Sequence, residues 1–339
     1  MVQELSFFPE TLSTSRDFEV YNNCQYKWYK LRCAAWSRST YNNDLSAGGE
    51  FAKSMELTRN AYYKEGKNES DSIKVGVDNL QKDFTNNYYF ANSEDSVKTP
   101  AKMLEVFKKY FEEYPLDSRS ITPLELGDGS IAVEQDFSIE LPFTNPDTGK
   151  PIILKCKLDM LGQRDNVVYV VDEKTCKSVL TSHEMQLDLL RTQNQFVQYV
   201  TIGNMKKDIL GNDLNITHVC IRKCKIKKSY AKNENIVESY EFQVDTWFQK
   251  TWYDNLLNIV ENMLLTYNTL KTTGNNKFIR NYSHGCTAFF RPCILTKHCT
   301  SAFYQDLTEE GFVQQVHNST MNEPMKLSDF IALKKGDSL

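Results

Sequence analysis

The segment VVYVVDEKTC, Val167 to Cys176, sets Asp172, Glu173 and Lys174 side by side at the end of an apolar run. Residues two apart on a strand project from one face, so Asp172 and Lys174 point together. A further carboxylate, Asp159, ends the polar side of the preceding segment LKCKLDML. If the two segments pair as a hairpin, Asp159 comes close to Asp172. Two carboxylates held together repel unless a cation lies between them, and oxygen ligands without His or Cys favour Mg²⁺ or Mn²⁺. A neighbouring ammonium such as that of Lys174 could then orient a metal-bound water or stabilise charge on a phosphate. The plainer alternative is an ordinary strand end in solvent, because Lys and Asp are rarely buried unless paired.

The surrounding pattern supplies elements able to position these residues. In VEQDFSIEL, Val133, Phe137, Ile139 and Leu141 share one parity and Glu134, Asp136, Ser138 and Glu140 the other, which predicts a half-buried strand. TNPDTGKP reads as a turn, LKCKLDML as a second strand, GQRDN as a short turn and VVYVVDEKT as a third strand. Three strands with short links predict an antiparallel meander. Helical spacing follows from His183 to Val200, with Gln195 and Tyr199 of QFVQY four apart on one face. Upstream, STSRDFEVYNNCQYKWYKLRCAAW, GGEFAKSMELTRNAYYKEG and TPAKMLEVFKKYFEEY read as helical, the last with Thr99 as N-cap and Pro100 in its first turn. Downstream, ITHVCIRKCKI and ESYEFQVD predict strands, the segment from Asp245 a long amphipathic helix, and KLSDFIALKKGDSL a short helix. The texture divides into a helical portion over 1–115, a core over 116–270 and a cysteine-containing segment over 271–339, joined as one integrated domain.

Together these segments resemble the PD-(D/E)XK nuclease superfamily, and within it the RecB-like branch that includes CRISPR-adaptation and phage-encoded exonucleases. KLDMLG is similar to the family's Gly-x-x-Asp strand with its Gly absent, Lys155 preceding by four the Asp159 that would be the first metal-binding carboxylate. VVDEKT is similar to its Asp-x-Lys-Thr strand. The resemblance makes Asp172 the second carboxylate, Glu173 a ligand through its backbone carbonyl, and Lys174 the catalytic lysine. QFVQY is similar to the branch's Gln-x-x-x-Tyr helix, through Gln195 and Tyr199, and Glu134 also fits the pattern. QFVQY alone occurs by chance in many helices; its weight comes from following Asp-x-Lys-Thr at the expected distance. What the resemblance implies is an α/β fold with a restriction-endonuclease-like core, a mixed central sheet flanked by helices. It also implies hydrolysis of DNA phosphodiesters with Mg²⁺ or Mn²⁺, on DNA ends or single strands, in recombination, repair or phage DNA processing. A helicase or recombination protein is the kind of partner it suggests. GGEFAKSME departs from the pattern: Gly48, Phe51 and Glu56 fit, but Ala52 stands where many members carry a metal-binding His. The alternative reading is a nuclease-fold protein that binds DNA with weak or no cleavage.

The chain has nine cysteines, a count that argues against complete disulfide pairing. Unligated thiols, metal ligands and redox groups all remain open for them. Cys24, Cys286, Cys293 and Cys299 resemble the four thiolates of the branch's [4Fe–4S] site, which ties the chain ends together. Zinc is the competing metal, with His284 or His298 able to replace one thiolate. The formal net charge of −4 gives no global attraction to nucleic acid, so binding would need local basic patches. IRKCKIKK, Arg222 to Lys228 within it, is such a run, able to track phosphates or to be a solvated strand end. No apolar run approaches membrane-spanning length, and MVQELSFFPETLS lacks the features of a signal peptide. A cytoplasmic location (host cytoplasm for a phage-encoded protein) is the expectation.

Overall fold

The structure is a computed structural model. It describes residues 5–38, 43–86, 98–117, 119–176, 182–206, 211–227, 229–230, 234–282, 286, 292–300, 306–308, 311–316 and 325–335. Three short strands come first, β1 (Thr11–Leu12), β2 (Trp36–Arg38) and β3 (Thr122–Pro123). The alternating segments then become long strands: β4 (Val133–Thr144), β5 (Pro151–Arg164) and β6 (Val167–Cys176). Val133, Phe137 and Leu141 are buried along β4, and Leu154, Cys156, Leu158 and Met160 along β5. The expected parity is therefore present.

β5 and β6 are antiparallel and joined by Asp165 and Asn166, both in the left-handed region. That conformation matches a tight hairpin turn to the twist of its strands. β6 then pairs in parallel with β7 (His218–Lys225), which pairs antiparallel with β8 (Val237–Gln243). A parallel pair needs a crossover. Here it is helical, through α6 (His183–Arg191) and α7 (Asn194–Gly203). The sheet runs β1-β5-β6-β7-β8, with β3 and β4 also pairing β5. The architecture is α/β, a mixed sheet with helices packed against it. Strands β9 (Phe312–Val316) and β10 (Met325–Lys326) form a separate small sheet with β2.

The preceding helices are α1 (Glu19–Asn23), α2 (Gln25–Trp28), α3 (Asn43–Tyr63), α4 (Glu69–Asn86) and α5 (Pro100–Glu113). The later ones are α8 (Thr246–Thr273), α9 (Thr296–Thr300) and α10 (Leu327–Lys335). Thr99 caps α5 by accepting from the Lys102 N–H at 3.4 Å, and Asp245 accepts from the Trp247 N–H at 2.7 Å at the start of α8. One expectation needs correcting. The helix read over His183 to Val200 is two helices, because Gln193 adopts an extended conformation between them. Within the first of them Leu189 is exposed while Leu190 is buried.

The chain forms two compact units interleaved in sequence, where the texture had suggested three consecutive segments. One comprises Met1–Thr40, Ser138–Lys155 and Trp252–Leu339; the other comprises Tyr41–Phe137 and Cys156–Thr251. The second unit holds α3, α4 and α5, whose buried faces join Phe51, Met55, Leu80, Met103, Val106, Phe107 and Tyr110 with Cys224, Ile226 and Val237. Gly76 on α4 lets α3 approach closely. A Cβ there would lie 2.2 Å from Thr58 Oγ1, 2.5 Å from the Phe107 ring and 2.8 Å from the Ser54 carbonyl oxygen. We expect Gly76→Ala to destabilise the protein by about 2 kcal/mol through overpacking, measured by urea denaturation.

Candidate metal and active site

The register that pairs Met160 with Val171 sets Asp159 opposite Asp172 at the next position, on one face of the β5–β6 hairpin. Asp172 is fully buried, and Lys174, two residues on, donates from Nζ to its Oδ1 at 2.9 Å. Asp159 accepts at Oδ2 from the Glu173 backbone N–H, 2.9 Å away. The proximity expected from the sequence is thus made through both side chain and backbone.

Burial pushes both carboxyls upward, that of Asp172 to about 7, while Lys174 pulls each back toward the charged form. Burial also opposes the Lys174 charge, but Asp172 and Asp159 hold the ammonium above its usual range. Among the described residues the Oδ2 of Asp172 has no hydrogen-bond partner. Its other oxygen also receives the Gln195 amide at 3.4 Å, and the same amide donates to the Tyr199 hydroxyl. Gln195 and Tyr199 therefore meet the site from α7, as their spacing suggests. Burial raises the Tyr199 phenol, so it remains protonated.

Glu134 stands beside this group in a left-handed conformation, φ 53°, unusual for a residue with a side chain. Its carboxylate pairs with Lys157 at 2.7 Å, while burial foremost, with Asp159 and Glu56 adding repulsion, pushes it to about 7. Glu56 is ion-paired with Lys53 at 2.9 Å. Ala52 is partly buried on α3.

Glu173 faces the other way. Its side chain, 4 % exposed, forms an ion pair with Arg59 and accepts from the Tyr110 hydroxyl at 2.6 Å. Sequence reading did not find Arg59, Tyr110 or Arg222 as site neighbours. A signal existed: Arg59 continues the four-residue spacing of buried Phe51 and Met55, and Arg222 lies between buried Cys220 and Cys224 at strand parity.

The basic run is largely neutralised within the fold. Arg222 is buried and bonds Tyr110, Lys223 donates to Gln186, Lys225 pairs with Glu234 and Glu238, and Lys227 pairs with Glu234. That correction follows from strand parity and from the acidic residues of the segment leading into β8. Lys228 lies outside the described residues.

In the other unit, Cys24, Cys286, Cys293 and Cys299 line one pocket with Lys27 and Arg280. Cys24 is the N-cap of α2 and accepts from the Lys27 N–H at 3.4 Å. The Cys293 N–H donates to the Cys286 carbonyl at 2.8 Å, which draws those two residues together. Burial, followed by repulsion from Cys293 and Cys24, raises the Cys286 thiol. Burial also raises that of Cys299, although Arg280 opposes the rise. His298 is within 2.9 Å of the Tyr26 hydroxyl through Nε2 and stacks against that ring. His284 lies outside the described residues. Among the described residues, no group of three His, Cys, Asp or Glu side chains is arranged to hold a single metal ion as the side chains stand. Cys33, Cys156, Cys220 and Cys224 are buried thiols, and Cys176 is partly buried.

No family model and no curated protein matches the chain. It is similar to a crystal structure described as "Putative exonuclease" from Eubacterium rectale, with 13% identity, TM-score 0.41, and coverage of 95% of this chain and 92% of that one. It is also similar to the crystal structure of SSO0001, with 11% identity, TM-score 0.24, and coverage of 62% and 74%. Likenesses this distant leave the chemistry to be read from this chain's own residues. No helix among the described residues is long and apolar enough to cross a membrane.

The raised carboxyls have a consequence for stability. Asp172 titrates at about 7 when folded and near ~3.9 when unfolded, so the folded state retains a proton that the unfolded state releases. The stability this contributes is full below the unfolded value and is lost as pH rises through the folded one. Glu134 acts in the same direction. We expect the thermal midpoint in chelator to fall between about pH 5 and about pH 8, less steeply in Asp172→Asn. A flat profile in the parent protein would count against this electrostatic picture.

Proposed function

We propose that this chain is a divalent-metal-dependent DNA nuclease of the PD-(D/E)XK type, a phosphodiester hydrolase. Asp159, Asp172 and the Glu173 carbonyl would hold the cation, and Lys174 would serve the reaction. The observation that carries the reading is the buried Asp172 Oδ2, without a partner among the described residues, beside a second desolvated carboxyl. A buried acceptor left unmet is costly, and a donor set of oxygens alone suits a hard cation.

Mg²⁺ or Mn²⁺ bound there would supply an activated water and neutralise charge on the scissile phosphate. The chain's residues account for the remainder. The Glu173 N–H orients the Asp159 carboxylate. Lys174, 43% exposed and held protonated, presents an ammonium to an incoming phosphate or water. Gln195 steadies Asp172 and is itself held by Tyr199. Action on DNA ends or single strands in recombination, repair or phage DNA processing, with a helicase or recombination partner, completes the proposal and rests on the motif resemblance. We expect Asp172→Ala and Lys174→Ala each to slow Mn²⁺-dependent DNA degradation about 100-fold or more with the fold retained by circular dichroism. Wild-type rates in both variants would refute the assignment.

The four thiols around one pocket support a [4Fe–4S] cluster, whose ligands are four Cys thiolates. Zinc, which the same four thiolates could also hold, is the alternative; His298, a candidate substitute for one thiolate, is engaged with Tyr26. Anaerobically purified protein should carry iron and absorb near ~400 nm, and Cys293→Ala should lose both. Stoichiometric zinc without that absorption would assign the site to zinc. A second functional reading, DNA binding without cleavage, is favoured only by Ala52 at the position of the family's usual His. Metal-loaded protein that binds DNA but leaves it intact would establish that reading.

A further inference from the structure

We infer that Arg59, backed by Tyr110 and Arg222, is a positioning residue that sets the metal site by clamping the side chain of Glu173 from behind the strand. The inference rests on the proposed cation site and deepens it. Asp172, Glu173 and Lys174 are consecutive, so any rotation of the β6 backbone at Glu173 turns both neighbours together. The same residue also supplies the N–H that orients Asp159. Its side chain is thus a handle on the catalytic face, reached from the opposite face.

The handle is held at several points. Arg59 approaches both carboxylate oxygens, reaching Oε2 from Nη1 at 3.1 Å and Oε1 from Nη2. This is the forked geometry that a guanidinium offers and an ammonium does not. Arg59 Nη2 also donates to the Tyr110 hydroxyl at 3.2 Å, and that hydroxyl donates to Glu173 Oε1 at 2.6 Å. Arg222, directly beside Glu173 in the parallel register of β6 and β7, donates from Nη1 to the same hydroxyl at 2.6 Å. Its Nη2 reaches Ser120 at 3.3 Å, and Nη1 lies 4.0 Å from Glu173 Oε1. The side chains of Arg59 and Arg222 are each 3% exposed. The clamp therefore consists of fixed groups from α3, α5 and β7, shielded from solvent.

Its charge also fits the face it serves. Two guanidinium groups meet one carboxylate, leaving an excess positive charge behind Asp159 and Asp172. The clamp thus orients the candidate ligands through the Glu173 backbone.

The test is Mn²⁺ binding to the full-length protein by isothermal titration calorimetry, followed by DNA degradation as a function of Mn²⁺. Arg59→Lys retains the charge but loses the fork, and Tyr110→Phe removes one hydroxyl with little change in packing. In both we expect cooperative thermal unfolding, about tenfold weaker Mn²⁺ binding, and a matching rise in the Mn²⁺ concentration for half-maximal cleavage, with KM for DNA at saturating Mn²⁺ unchanged. Tyr110→Phe supplies the readout if Arg59→Lys does not fold. Wild-type Mn²⁺ affinity in a folded variant would overturn the clamp and leave the proposed function standing. Absence of Mn²⁺ binding to the parent protein would overturn both.

Discussion

A strand in the middle of this sheet carries three charges in succession, and each must be compensated on the face to which it points. Asp172 is fully buried and Glu173 nearly so. Removing an ion from water costs several kcal/mol unless partners replace the lost hydration. On one face Lys174 and Gln195 meet Asp172, and Asp159 adds to the hold on the Lys174 ammonium; on the other face Glu173 meets Arg59, Tyr110 and the neighbouring Arg222. The placement of α3, α5 and α7 around the strand satisfies these demands. A sheet lined with apolar residues alone would need packing from its helices, whereas this one also needs particular polar groups at fixed distances.

The two faces are compensated unequally. Behind the strand, both oxygens of the Glu173 carboxylate have a strong partner, and Arg59, with Arg222 and Tyr110, overcomes burial to hold the acid below its ordinary range. In front, Asp172 keeps an oxygen without a hydrogen bond among the described residues and is pushed upward to about 7. Fully met charges give rigidity, while an unmet acceptor at a fixed position invites a ligand. The asymmetry separates a face of met charges from a face with an open acceptor within three residues.

The cysteine pocket belongs to the other unit and obeys a different logic. Cys24 sits at a helix N-terminus, and Cys286 and Cys293 are connected through the backbone. The lysine and arginine lining the pocket oppose the burial that keeps thiols protonated. First and last portions of the chain fall in the same compact unit, which holds Cys24, Cys286, Cys293 and Cys299.

Much of this was written in local pattern. Alternation determined β4, β5 and β6, two short turns determined their order, and the grouping of Asp159, Asp172, Lys174, Gln195 and Tyr199 was legible because strand and helix spacing decide which face each residue occupies. Parity also determined that Glu173 would point away from Lys174. Tertiary structure decided what Glu173 points at. Arg59, Tyr110 and Arg222 are separated from it by 114, 63 and 49 positions, and no local periodicity encodes a meeting of such distant groups. It likewise converted the basic run from a solvated stripe into paired and buried cations, because acidic residues outside the run supply its counter-charges. Pattern within a segment follows from backbone geometry, which repeats every few residues. The pairing of buried charges follows from desolvation, which acts only once distant segments are brought together.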